Sequence, residues 1–132
     1  GVINPRSVRC IENQNVIEYS GGIMKKHRRQ NRNTVNHGKI RYIIFKEDGV
    51  WYAVALELNI VEEGNDPKSV LFSLLEAIDG YVAGSRRLKA RPVLLNQIPD
   101  AEYSEMWKAI QKNESLRGLE VYASGEMSTA NR

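Results

Sequence analysis

The sequence predicts an α+β domain in which a small antiparallel β-meander packs on one helix, with a second helix towards the C-terminus. Two observations predict this class. Two segments rich in β-branched and aromatic residues flank an Asp-Gly pair, which is a strong hairpin signal. A helix signal with its own capping residues follows them at 66–84. The length of 132 residues suits one domain with tails.

The three strands are expected in direct succession. Residues 39–45 form the first, Asp48-Gly49 favours the turn, and residues 50–56 return. Residues 57–63 are predicted as a short third strand. Trp51 and Tyr52 are adjacent on the second strand and should therefore point to opposite faces of the sheet.

The first helix has a clear start. Asp66 is a good N-cap and Pro67 is preorganised for the first helical position. Gly84 is expected to end the helix in a left-handed cap. One face carries apolar residues at helical spacing, which are Val70, Leu71, Leu74, Leu75, Ile78, Tyr81 and Val82.

The remainder of the chain gives weaker signals. Residues 92–95 suit a short strand or an extended packed segment, and Pro99-Asp100 starts the second helix. Residues 118–122 suit a last short strand. We therefore predict a domain over residues 39–123, followed by a flexible tail at 124–132.

Residues 1–38 are predicted to be a disordered basic N-terminal arm, because apolar residues are sparse and show no sustained period. Gly21-Gly22-Ile23-Met24 could be encoded by a purine-rich stretch just before a start codon, as at a bacterial ribosome-binding site. One hypothesis is that the natural chain starts at Met24, so that residues 1–23 are not native. The alternative is an ordinary disordered tail.

Charge is distributed unevenly along the chain, although the net charge is only +3. No acidic residue occurs between Met24 and Lys46, and no Lys or Arg occurs between Glu47 and Asp66. Such asymmetry indicates a basic arm next to an acidic surface. The arm is a candidate for weak nucleic-acid contact through phosphates, with Lys25, Lys26, Arg28, Arg29 and Arg32 as the contacting residues.

Residues 40–83 resemble the HicB-like antitoxin domain. Three matching features lie in the sheet: a tyrosine in the first strand (Tyr42), an Asp-Gly hairpin turn (Asp48-Gly49) and an aromatic-Ala pair in the second strand (Tyr52-Ala53). A glycine turn (Gly64) and a helix capped by Asp66 follow. The resemblance implies a truncated ribonuclease-H-like sheet with one crossing helix. It also implies that the protein neutralises a small, basic, HicA-like RNA-cleaving toxin.

A toxin that holds RNA needs a basic surface, so the acidic stretch is the expected partner-binding surface. Glu57, Glu62 and Glu63 are predicted as its polar contacts, and Trp51 or Tyr52, whichever is exposed, as its aromatic anchor. The alternatives left open are a nucleic-acid-associated accessory protein that uses the basic arm, and an orphan oligomeric domain.

The sequence favours a binding protein over an enzyme. His27 and His37 both lie in the arm, and Cys10 is the only cysteine, so we expect no metal site and no cofactor. The first strand lacks the carboxylate that a two-metal nuclease would need there. We also expect no membrane span, a cytoplasmic location and a homo-oligomer.

Overall fold

The computed structural model describes residues 15–20, 23–28 and 32–130. In chain order the strands and helices are β1 (Asn15–Ser20), β2 (Ile23–Arg28), β3 (Lys39–Glu47), β4 (Val50–Ala55), β5 (Ile60–Gly64), α1 (Pro67–Arg87), α2 (Ala101–Gln111) and β6 (Leu119–Ser128). Short 3-10 helices lie at Leu56–Leu58 and Pro92–Leu95.

β3 to β6 form one antiparallel sheet in the order β5-β4-β3-β6. The Asp48-Gly49 turn joins β3 to β4, and its two residues have φ of 51° and 81°, as a type I′ turn requires. The β-β-β-α order predicted for residues 39–84 is confirmed, and with it the coarse α+β class.

α1 covers one face of the sheet. The Asp66 carboxylate accepts a hydrogen bond from Ser69 N at 2.9 Å, and Pro67 is the first helical residue, as predicted. The buried stripe recurs every four residues and comprises Val70, Leu74, Ile78 and Val82, while Leu75 is half-buried. The stripe packs on a sheet face formed by Ile40, Ile44, Ala53 and Ala55.

α2 covers the opposite face, a placement that the sequence pattern does not predict. Tyr103 and Met106 pack with Ile43, Phe45 and Val54. β3 and β4 are therefore buried on both sides, which explains the continuous apolar run at 42–45 where a sheet with one solvated face would alternate. Asp100 caps α2 by accepting a hydrogen bond from Glu102 N at 3.0 Å.

The prediction of a flexible tail at 124–132 is wrong over most of this range. β6 runs to Ser128 and pairs with the whole of β3, and Thr129 is fully buried. Thr129 N also donates a hydrogen bond to Gly38 O at 3.1 Å. The strand was underestimated because Ser124, Gly125 and Ser128 carry little β propensity, and its order comes from pairing with β3.

The disordered arm predicted at 1–38 also differs from the structure. β1 and β2 pair in antiparallel register, with Ser20 opposite Ile23. Asn33 is buried at 4% exposure, so the packed domain begins before Lys39. The prediction for residues 1–14, 21–22 and 29–31 lies outside the described residues.

Three smaller predictions need correction. The third strand begins at Ile60, because residues 56–58 form a 3-10 turn that Asn59 closes with φ of 52°. α1 passes Gly84 and ends at Arg87, and the left-handed residue beyond it is Lys89 with φ of 52°. Residues 92–95 form a 3-10 helix that buries Leu95.

Candidate functional site

Tyr52 lies near several acidic residues on the α2 side of the sheet. Its half-buried ring stacks on Phe45, with 5.4 Å between ring centroids. Phe45 in turn contacts Tyr103 at 6.3 Å. Glu63 is directly opposite Tyr52 in the β4–β5 register. The fold therefore places one carboxylate beside an aromatic row that crosses from β4 to α2.

The electrostatic environment of Tyr52 identifies the acids whose charges act on it. Burial raises the pKa of the Tyr52 phenol above its ordinary value, and the negative charges of four carboxylates raise the same pKa further. These carboxylates belong to Glu63, Glu47, Asp48 and Glu102. They come from β5, the end of β3, the hairpin turn and the first turn of α2. We call Tyr52 and these four acids the acidic surface.

The five residues predicted to bind a partner do not lie on one surface of the structure. Tyr52 and Glu63 share the acidic surface. Trp51 and Glu62 belong to the opposite face, since Trp51 packs against the core under α1 and Glu62 is paired with Ala53 in that face. The prediction that Trp51 and Tyr52 point to opposite faces is thus confirmed, and both side chains are half-buried.

Glu57 is an internal structural group, which makes its placement on an exposed acidic surface wrong. Its carboxylate accepts hydrogen bonds from Arg41 N at 2.7 Å and from Arg41 Nε at 2.6 Å. The Glu57 side chain is only 12% exposed. The Arg41 guanidinium also lies 5.5 Å from the centre of the Trp107 ring. Glu57 therefore ties the start of β3 to the 3-10 turn and, through Arg41, to α2.

A polar cleft of about 660 Å³ opens beside this ion pair. Its buried wall is a reciprocal pair: Asn33 N donates to Asn96 Oδ1 at 2.8 Å, and Asn96 Nδ2 donates to Asn33 O at 2.9 Å. Gly38 has φ of +133°, and a Cβ there would lie 2.3 Å from Asn33 Oδ1. The lining residues are Arg32, Asn33, Gly38, Lys39, Arg41, Glu57, Asn96 and Glu126.

The cleft is only weakly positive. Arg41 is paired with Glu57, and Lys39 Nζ lies 3.5 Å from Glu126 Oε2. Of the predicted nucleic-acid residues, exposed Arg32 lines this cleft, whereas Lys25, Lys26 and Arg28 belong to β2 and Arg29 lies outside the described residues. Of the five predicted nucleic-acid contacts, the structure therefore brings Arg32 to a site that already contains two ion pairs.

Sequence reasoning placed Glu47 and Asp48 within the predicted acidic stretch without naming them as contacts, and it missed Glu102. The β3–β4 register places Glu47 on the same face as Phe45 and Tyr52, and the charge of Asp48 in the turn acts on the Tyr52 phenol. Glu102 is remote in sequence, and its only signal was its position in the first turn behind the Asp100 cap. The contribution of α2 to this face could not be predicted without knowing which side of the sheet α2 covers.

No family model matches this chain, and neither does any curated protein or solved structure. Within residues 15–20, 23–28 and 32–130, no helix is long and apolar enough to cross a membrane. In the same described segments no three His, Cys, Asp or Glu side chains are grouped as metal ligands would be. The candidate site therefore rests on the geometry around Tyr52.

Proposed function

We propose that this chain is a binding module for a small basic protein, and that it acts by covering its partner's functional surface. The observation that carries the proposal is the acidic surface: Glu63 lies directly opposite Tyr52 in the β4–β5 register, and the charges of three further carboxylates also act on this half-buried tyrosine. Complementary charge accelerates encounter with a basic partner. A tyrosine at the centre of such a surface suits the aromatic anchor of a protein interface.

The HicB-like resemblance supports a more specific proposal for the partner, an RNA-cleaving toxin. Such a toxin must hold phosphates on a basic surface, and the acidic surface competes for that same surface. The β-β-β-α order, the Asp48-Gly49 turn and the capped helix all lie where the resemblance expects them. In this proposal the chain inhibits by occlusion, and Glu63 and Tyr52 make central contacts.

Two adjacent residues of β5 give a matched test. Glu63 belongs to the acidic surface, whereas Glu62 lies on the face towards α1. We would co-express the chain with the small basic protein encoded by the adjacent gene, and score both growth rescue and co-purification. Glu63→Lys should weaken the complex by about tenfold or more, since charge reversal at an interface disfavours the partner. Glu62→Lys should leave it near wild type.

The outcomes separate the alternatives. Equal binding by both variants would overturn the role of the acidic surface. Loss of binding by both would indicate a general charge effect. If the adjacent gene encodes no small basic protein, or if growth is not rescued, the proposal that the partner is a toxin is wrong.

The nucleic-acid alternative is favoured by one observation, the position of exposed Arg32 beside Lys39 in the polar cleft. Binding through a few phosphate contacts falls steeply with salt. Affinity for generic RNA or DNA that is lost with added salt, and reduced by Arg32→Ala, would support this second function. Glu63→Lys would strengthen such binding rather than weaken it.

A further inference from the structure

The two edges of the sheet differ in how well they are protected against pairing with another strand. β5 has only five residues and carries Glu62 and Glu63, and short, charged strands are a common way to protect an edge. β6 has ten residues and no Lys, Arg or Pro. Its exposed side chains include Val121 at 37% and Tyr122 at 48%.

Among the described residues, β6 pairs with β3 alone. A long edge strand is a template for a further strand. We propose that the β6 edge pairs with β6 of a second copy of this chain, in antiparallel register, to form one continuous sheet across a two-fold axis. The β6 edge is the one remote from β5, so this pairing is independent of the proposed function.

A bulge in β6 supports a second copy as the occupant. Ile44 is opposite Ala123 and Phe45 is opposite Val121, so Tyr122 is an extra residue. Ala123 packs against the core under α1, and Tyr122 contacts Trp51 on that same side at 5.9 Å. Tyr122 and Ala123 therefore face the same side of the sheet, and the alternation of side chains is shifted by one residue between them.

This shift fits an antiparallel pair that has its two-fold axis between Tyr122 and Ala123. Side chains that meet across strands must lie on the same face. With the axis placed there, Tyr122 meets Ala123 of the other copy, Val121 meets Ser124, Glu120 meets Gly125 and Leu119 meets Glu126. In each of these pairs the two side chains lie on the same face of the sheet, because the extra residue at the bulge shifts the alternation of faces by one.

The charges of β6 are compatible with the same register. Glu120 and Glu126 are its only charged residues, and like charges directly opposite each other are destabilising. In the proposed register Glu120 lies opposite a glycine and Glu126 opposite a leucine, so no two carboxylates meet. The two Tyr122 rings lie next to the axis, where an exposed aromatic side chain gains most from burial.

The test is the oligomeric state of the full chain by light scattering coupled to size exclusion. The wild type should have twice the chain mass of 15.0 kDa. Tyr122→Lys and Val121→Lys should raise the dimer dissociation constant by about tenfold or more, because a lysine protects an edge. The matched control is Val61→Lys on β5, where the valine is 39% exposed, and it should leave the dimer intact.

A cross-link keeps the test decisive if a lysine variant misfolds. Tyr122→Cys in a Cys10→Ser background should form a dimer with a short bis-maleimide, whereas Val61→Cys in the same background should not. A monomeric wild type, a dimer that tolerates both β6 lysines, or equal sensitivity to Val61→Lys would each overturn the proposal. Protection of β6 from hydrogen exchange only when another protein is added would assign the edge to that protein instead.

Discussion

The two faces of the sheet are covered in different ways, although the same strands, β3 and β4, supply side chains to both. On one face α1 is 21 residues long and packs an apolar stripe on Ile and Ala side chains. On the other face α2 is 11 residues long and buries Tyr103, Met106 and Ala109. That second face also contains the Arg41–Glu57 ion pair and Tyr52 with its surrounding acids.

The contrast indicates a division of roles. The α1 face consists almost wholly of apolar contacts, which stabilise the fold in proportion to the area buried. The α2 face combines a smaller apolar cluster with aromatic rings and charges that lie near solvent. Interfaces are enriched in aromatic residues and surround them with a polar rim, so we place stability mainly on the α1 face and the proposed recognition on the α2 face.

Core truncations on the two faces should show this difference most strongly. Leu74→Ala under α1 should lower the free energy of unfolding by about 2–5 kcal/mol, because Leu74 is fully buried. Met106→Ala under α2 should cost about 2 kcal/mol, at the lower end of that range, since Met106, although also buried, belongs to the smaller of the two apolar clusters. Urea unfolding measures both values.

Phe72→Ala is the control on α1, since Phe72 is 65% exposed, and its effect should stay within about 0.5 kcal/mol. A loss below about 1 kcal/mol for Leu74→Ala would place Leu74 outside the core. A larger loss for Met106→Ala than for Leu74→Ala would reverse the assignment of stability to the α1 face.

The two faces also differ in how far the sequence could predict them. The α1 face follows from local signals: the Asp48-Gly49 turn, the Asp66 cap and a helical stripe of apolar residues. The α2 face depends on contacts between remote segments. Nothing near Glu57 shows that it pairs with Arg41, because the pair forms only when the 3-10 turn at 56–58 returns to the start of β3.

The same reason explains the error about β6. Its Ser and Gly residues give a weak local signal, and its ten-residue length is set by the length of β3, with which it pairs. For the candidate site, Tyr52 and Glu63 could be predicted from the acid-rich stretch around them. Glu62 was assigned with Glu63 because adjacent acids look alike in sequence, although a strand sends them to opposite faces.

The charged part of the α2 face can be tested at Glu57. Glu57→Ala should lower the free energy of unfolding by about 1.5–3 kcal/mol, since it removes a carboxylate that accepts two hydrogen bonds from Arg41. Glu62→Ala on the same acidic stretch should change it by about 0.5 kcal/mol or less. If Glu57→Ala retained full stability but lost partner binding, Glu57 would be a contact residue, as the sequence alone suggested.

The smallest expected effect is the difference between the pKa shifts of two tyrosines, one from each face, at alkaline pH. Burial raises the pKa of Tyr81 on α1, and a hydrogen bond from Gln97 at 2.7 Å partly opposes that shift. Burial also raises the pKa of Tyr52, but there the neighbouring carboxylates add to it. In the unfolded chain a tyrosine has its ordinary pKa of 10.0. Just above that pH, both tyrosines are therefore still protonated in the folded state but deprotonated in the unfolded chain.

The sign of the pH dependence follows from this difference. A folded-state pKa above the unfolded value contributes stability that is complete below the unfolded pKa and is lost as pH rises through the folded pKa. Stability should therefore fall above about pH 10, and Tyr81→Phe and Tyr52→Phe should each reduce the fall.

Added salt should lower the Tyr52 pKa, measured by tyrosinate absorbance in a Tyr81→Phe background, because salt screens exposed carboxylates. It should leave the Tyr81 pKa, measured in a Tyr52→Phe background, nearly unchanged, since that shift comes from burial. Equal salt sensitivity of the two would mean that the acidic surface does not distinguish the α2 face.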